Sequence, residues 1–144
     1  RAVFEWDDAE EFGLIVCCSP GGEEQTQIRF NANPNHYYRR EIPPLRELVL
    51  DVTRSSTRPD INNRESQRCH AAHAAGEPVE LRVFIDRSVV EVFVNGGRYY
   101  LAKRIYPARP DSVGVRVFAR GGKAVLRSLD AWEMKAIWPL EADK

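Results

Sequence analysis

An all-β domain, folded as a two-layer antiparallel β-sandwich, is what this 144-residue sequence predicts. Three observations carry the expectation. Apolar residues alternate with polar ones in run after run, turn residues punctuate the runs, and no stretch reads as a long helix. Alternation with a period of two sends successive side chains to opposite faces of a strand, so each such run has one face in a core.

The elements follow in order. Arg1-Ala-Val-Phe-Glu-Trp6 already reads as a strand, with no initiator Met and no signal-peptide pattern before it, so the natural N-terminus is expected upstream. Phe12, Leu14, Val16 and Cys18 alternate with their neighbours up to the turn Ser19-Pro-Gly-Gly22. Thr26, Ile28 and Phe30 make the next strand, closed by Asn31-Ala-Asn-Pro-Asn35. After Ile42-Pro-Pro44 comes the run carrying Leu48, Leu50 and Val52. From Ser55 to Pro78 the chain is polar and irregular, and loops of that length are usually functional or partly disordered. Within it Ala71–Ala75 favours helix but is too short to stand alone.

The clearest local unit spans Glu80 to Tyr106. Leu81–Asp86, Ser88–Asn95 and Arg98–Arg104 read as a three-stranded meander whose second turn, Asn95-Gly96-Gly97, is a strong hairpin signal. Val90, Val92 and Val94 fill one face of its middle strand, with Val89 and Phe93 on the other, so this strand is expected at the centre of a sheet covered on both faces. Val113, Val115 and Val117 form a further strand before the turn Arg120-Gly-Gly122, which brings the total to about ten short strands in one domain, residues 1–144.

Composition excludes several partners. Lys plus Arg equals Asp plus Glu at 21 each, which gives no reason to expect nucleic acid or an anionic membrane. No apolar run approaches the roughly 20 residues that cross a bilayer. Cys17 and Cys18 are adjacent, where a bridge is strained, and with Cys69 they make an odd count; reduced thiols are expected.

Few constellations point to chemistry. Cys69-His70-Ala-Ala-His73 has metal-like content but no second half elsewhere, so it reads as a loop with incidental histidines and no metal or cofactor is assigned. No Gly-x-Ser-x-Gly elbow and no phosphate loop occurs. Glu91 is the anomaly, a carboxylate among apolar neighbours on a central strand. With Gly96-Gly97 as the hairpin loop it lies opposite Ala102, with Tyr100 and Arg104 as diagonal neighbours. Two readings stand: a structural ion pair between Glu91 and Arg104, or an acid facing a sugar pocket. Tyr37-Tyr38, followed by Arg39-Arg40, resembles a stacking platform, although one buried and one exposed tyrosine on a strand is the more usual explanation. Trp6, Trp132 and Trp138 lie near the two ends of the chain and are expected to pack or to face a neighbouring domain.

The string Leu81-Arg-Val-Phe-Ile-Asp-Arg-Ser-Val-Val-Glu-Val-Phe-Val-Asn95, with Arg104-Ile-Tyr-Pro107 after it, resembles the C-terminal β-sandwich of glycoside hydrolase family 32. Glu11-Phe-Gly-Leu-Ile-Val16, Leu50-Asp-Val-Thr-Arg-Ser55, Gly114-Val-Arg-Val-Phe118 and Ser128-Leu-Asp-Ala-Trp-Glu-Met134 extend the resemblance over nearly the whole chain. It implies a concanavalin- or lectin-like sandwich that accompanies a catalytic β-propeller acting on β-fructosides, as in invertases, inulinases and levanases. That propeller is implied as the partner, and oligomerisation is known in some members. The family's catalytic motifs, Trp-Met-Asn-Asp-Pro-Asn-Gly, Arg-Asp-Pro and Glu-Cys, do not occur in this chain. Asn31-Ala-Asn-Pro-Asn35 echoes the first, but Asn33 stands where the nucleophilic Asp belongs, and an amide cannot supply the attacking carboxylate. The resemblance therefore implies a non-catalytic accessory domain with an exposed apolar patch on its propeller-facing side. The alternative it leaves open is a fructan- or fructose-binding module, like those of carbohydrate-binding module family 66, with Tyr37, Tyr38 and Arg54 as candidate sugar contacts.

Overall fold

A computed structural model describes residues 1–32, 45–62, 64–74 and 76–135. Among them are ten strands: β1 (Ala2–Trp6), β2 (Glu11–Cys18), β3 (Gln25–Asn31), β4 (Leu45–Arg54), β5 (Gln67–Ala72), β6 (Val79–Asp86), β7 (Val89–Val94), β8 (Tyr99–Arg104), β9 (Gly114–Arg120) and β10 (Ala124–Leu129). They form two five-stranded sheets, ordered β10-β1-β6-β7-β8 and β5-β4-β3-β2-β9, with every neighbouring pair antiparallel.

The period-two pattern decides what each strand turns inward. Phe12, Leu14 and Val16 of β2, Ile28 and Phe30 of β3, and Leu48, Leu50 and Val52 of β4 are buried from one sheet. Ala2 and Phe4 of β1, Val79 and Leu81 of β6, and Val90, Val92 and Val94 of β7 meet them from the other. At one end of this core Phe4, Trp6, Phe12, Phe30 and His73 stack with ring centroids 5.1–5.5 Å apart. Burying side chains of this size contributes about 1.5–3 kcal/mol each, which is what holds two sheets together face to face.

The meander forms in the expected register, with Glu91 opposite Ala102 and Val94 opposite Tyr99. Its turn is feasible because Asn95, Gly96 and Gly97 take φ values of 47°, 69° and 92°, a region that Gly and Asn reach at little cost. The outer face of β7 is less covered than expected: Val89, Glu91 and Phe93 are half-buried, shielded by neighbouring side chains rather than by another layer.

One element departs from the sequence reading. The polar stretch Ser55–Pro78 contains β5, which pairs along β4 from Leu45↔Ala72 to Leu50↔Gln67. Its inward positions are Gln67, Cys69 and Ala71, polar or small, and its outward ones are Arg68, His70 and Ala72 on an edge strand. The alternation is therefore faint in hydrophobicity even though the backbone follows it.

The two sheets meet differently at their two margins. Along one, β5 lies against β8: the Tyr99 hydroxyl donates to Ala72 O at 2.7 Å, and Ala102 N donates to Gln67 Oε1 at 3.0 Å. Along the other run β9 and β10, joined by the Arg120–Lys123 turn across the edge of the sandwich.

Candidate functional site

The sequence-derived candidates do not converge. Tyr37 and Tyr38 lie outside the described residues, as do Asn33 and Trp138. Arg54 ends β4 and donates from Nη2 to Gly22 O at 2.5 Å, so its guanidinium braces the β2–β3 turn. Glu91 accepts a 2.7 Å hydrogen bond from the Tyr100 hydroxyl. Among the described residues no ion pair joins Glu91 to Arg104; of its two diagonal neighbours, Tyr100 is the one that reaches the carboxylate. Donating this bond to the Glu91 carboxylate raises the Tyr100 phenol above its ordinary range.

Around this pair, Phe84, Phe93 and Tyr100 form a band of rings on the outer face of β6, β7 and β8, with centroids 5.8 and 4.8 Å apart. An open cleft of about 270 Å³ lies beside it, lined by Glu80, Arg82, Phe84, Phe93, Gly96 and Gly97. Arg1 reaches Glu80 through Nε at 2.9 Å and Nη2 at 2.6 Å, and this bonding holds the Glu80 carboxyl below the usual range.

Cys69 and His70, adjacent on β5, point to opposite faces of their sheet. His73 is buried against Trp6 and Phe30, with Nε2 2.9 Å from Glu77 O. Among the described residues no group of three His, Cys, Asp or Glu is placed to hold a metal ion. All three cysteines are free thiols, and burial pushes that of Cys17 up to about 11.

The most strongly engaged titratable group escaped the sequence reading. Glu24 is fully buried, and its carboxylate accepts from Thr57 N (2.7 Å), Thr57 Oγ1 (2.9 Å), Ala108 N (2.9 Å), Arg109 N (3.1 Å) and Ser112 Oγ (2.6 Å). Burial alone would push its pKa up. The hydrogen bonds from Ser112 and from the Ala108, Thr57 and Arg109 amides outweigh it and hold the pKa down to about 2. Its donors come from two separate stretches of chain, one after β4 and one after β8, so Glu24 ties its own β2–β3 turn to two further loops. With every described donor turned inward on one carboxylate, the arrangement leaves no reacting group for a substrate.

What stays unsatisfied is apolar surface at the β9/β10 margin. β9 pairs Val117 with Leu14 and Ala119 with Phe12, so these residues share the face that β2 turns to the core. Yet Val113, Val115 and Val117 are 81%, 55% and 47% exposed. On β10, Leu129 pairs with core-facing Ala2 and is itself 48% exposed. Trp132 and Met134 follow at 69% and 73%.

The described residues thus form a two-sheet antiparallel sandwich with half-bare valines along one margin. The chain matches, over residues 1–133, the family model described as Glycosyl hydrolases family 32 C terminal, and it belongs to that family. It is 34% identical over 129 residues to a fructan 1-exohydrolase from Leymus chinensis, and 33% identical over 129 residues to fructan 1-exohydrolase w3 from Triticum aestivum. Each alignment covers 86% of this chain and 21% of the relative, so the chain spans about a fifth of the length of the curated relatives it matches. Among solved structures, fructan 1-exohydrolase IIa from Cichorium intybus superposes with a TM-score of 0.67 at 27% identity, over 84% of this chain and 22% of that one. Exo-inulinase from Aspergillus awamori gives the same TM-score and the same coverages at 23% identity, which shows the shared fold. The match is to the C-terminal domain alone, so the catalytic residues of these enzymes lie outside the part to which this chain corresponds.

Proposed function

We propose that this chain is a non-catalytic accessory domain of a family 32 hydrolase acting on β-fructosides, and that it covers and steadies the catalytic domain of its parent protein. The observation that carries the reading is the match to the C-terminal domain of enzymes whose remaining four-fifths have no counterpart here. The open apolar margin supports it, because a face patterned for a core and left bare fits a domain built to work against a neighbour. Incubated with sucrose, 1-kestose or inulin, the 144-residue chain is expected to release no fructose. The full reading frame expressed without this stretch is expected to lose stability, with a melting temperature lower by about 5 °C or more. Fructose release by the chain alone, or an unchanged melting temperature after its deletion, overturns the proposal.

Fructan binding is a second reading, supported by the cleft beside Phe84 and Phe93, where rings could take the apolar face of a sugar and Arg82 its hydroxyls. Affinity electrophoresis in levan and inulin gels tests it. Unretarded migration removes it.

A further inference from the structure

We propose that Asn95 is a deamidation site that the fold itself guards, and that its reaction opens one corner of the sandwich for good. The proposal stands apart from the accessory reading, because it concerns bonds within this chain alone. Asn95-Gly96 opens the β7–β8 turn, and Gly96 is exposed, with no side chain to shield its backbone nitrogen. Gly97 N is taken by Val94 O at 3.1 Å, whereas no described residue accepts from Gly96 N. An asparagine before such a nitrogen carries its own leaving group. Gly96 N gives up its proton to hydroxide and attacks Asn95 Cγ. The bond from Cγ to Nδ2 breaks, and Nδ2 takes a proton from water and leaves as ammonia. Water then opens the resulting succinimide at either carbonyl. Asparagine and water become aspartate or isoaspartate and ammonia, and nothing is oxidised or reduced.

What holds the reaction off is a clasp. The Asn95 amide donates from Nδ2 to Glu77 Oε1 at 3.2 Å and to Pro78 O at 3.0 Å, and its Oδ1 accepts from Glu80 N at 2.7 Å. Asn95 N donates to Glu80 O at 3.0 Å, so side chain and backbone together carry the β6–β7 pairing into the turn. Glu77 is itself fixed, accepting from Arg98 Nη1 at 2.7 Å and from Ala74 N at 3.2 Å. Turning Cγ onto Gly96 N breaks the three side-chain bonds together, so the native state lies far from the geometry that attack needs. The reaction therefore proceeds through local opening of this corner. Product chemistry then keeps it open. Aspartate puts an oxygen where the NH2 was, facing Glu77 Oε1 and Pro78 O, which are both acceptors, and sets one carboxylate against another. Isoaspartate lengthens the backbone by one carbon just where Asn95 meets Glu80.

The test ages the chain in mildly alkaline buffer, folded and in urea, and follows the conversion of Asn95 to aspartate and isoaspartate by peptide mass spectrometry. In the folded chain the conversion is expected to be slower by about tenfold or more than in urea. Glu77→Ala removes an acceptor from Nδ2 and is expected to narrow that gap to about threefold or less, while its rate in urea matches that of the native sequence. Glu77→Gln keeps an oxygen for Nδ2 to donate to and is expected to preserve the gap. Should Glu77→Ala lose its melting transition, Asn95→Asp carries the test: its Glu80 amide is expected to exchange with solvent faster by about tenfold or more than in the native chain. Equal conversion folded and in urea overturns the proposal. So does a folded Glu77→Ala chain that keeps the whole gap, and so does an Asn95→Asp chain whose Glu80 amide stays as protected as before.

Discussion

Glu24 shows how much one side chain can organise. Its carboxylate accepts from Thr57, Ala108, Arg109 and Ser112, residues that follow β4 and β8 in the chain, so one buried anion fastens three loops at one end of the sandwich. Replacing it with Gln keeps the volume but turns an amide NH2 toward donors, and unfolding in urea is expected to show a loss of about 2–4 kcal/mol. The pH dependence has a definite sign. The folded pKa, near 2, lies below the ordinary 4.5, so the contribution is fully present above pH 4.5 and is lost as pH falls toward 2. Melting temperatures taken from pH 6 to pH 2 are expected to fall in the native protein, and more shallowly in Glu24→Gln. At Glu91 the stakes are smaller, because its partner Tyr100 is exposed; Tyr100→Phe is expected to leave the urea unfolding midpoint nearly unchanged. The sequence sufficed to place Glu91 opposite Ala102, since Gly96-Gly97 sets the register. It did not choose between Tyr100 and Arg104, because both are diagonal neighbours and sheet twist decides which is nearer. Nor was Glu24 legible: its donors lie 33 to 88 positions away along the chain, and the local signal, Gly-Gly-Glu-Glu, is that of any surface turn.

At the scale of the element, β2 is the strand least able to accept change. Gly13 sits in mid-strand with φ of 154°, and a Cβ there would lie 2.0 Å from the carbonyl oxygen of Ile28 on β3. That neighbour is backbone and cannot swing aside. Gly13→Ala is expected to destabilise by about 3 kcal/mol or more, or to prevent folding, read from circular dichroism and urea unfolding. The strands with strong alternation, β2, β3, β4 and β6 to β8, were legible because their inward residues are large. β5 was not, since Cys69 and Ala71 give the same geometry with little hydrophobic contrast. β9 was legible as a strand, but its exposure was not, because Val113, Val115 and Val117 carry the same pattern whether the face is covered by this chain or by another.

For the molecule as a whole, the sandwich could be read from the count and rhythm of its strands, whereas the order of strands could not. β1 lies between β10 and β6, and β2 between β3 and β9; the β1–β10 pairing and most of the β2–β9 pairing join residues more than a hundred positions apart with no local signature. Hydrogen bonds stitch one margin of the two sheets, from Tyr99 to Ala72 and from Ala102 to Gln67. The sandwich is thus bound like a book, with its spine at β5 and β8 and its fore-edge at β9 and β10. Warmth should part the leaves from the fore-edge inward. In the 144-residue chain, amides of β9 and β10 are expected to exchange well before those of β7 as temperature rises, and simultaneous exchange of all three would show that the sheets instead come apart in one step.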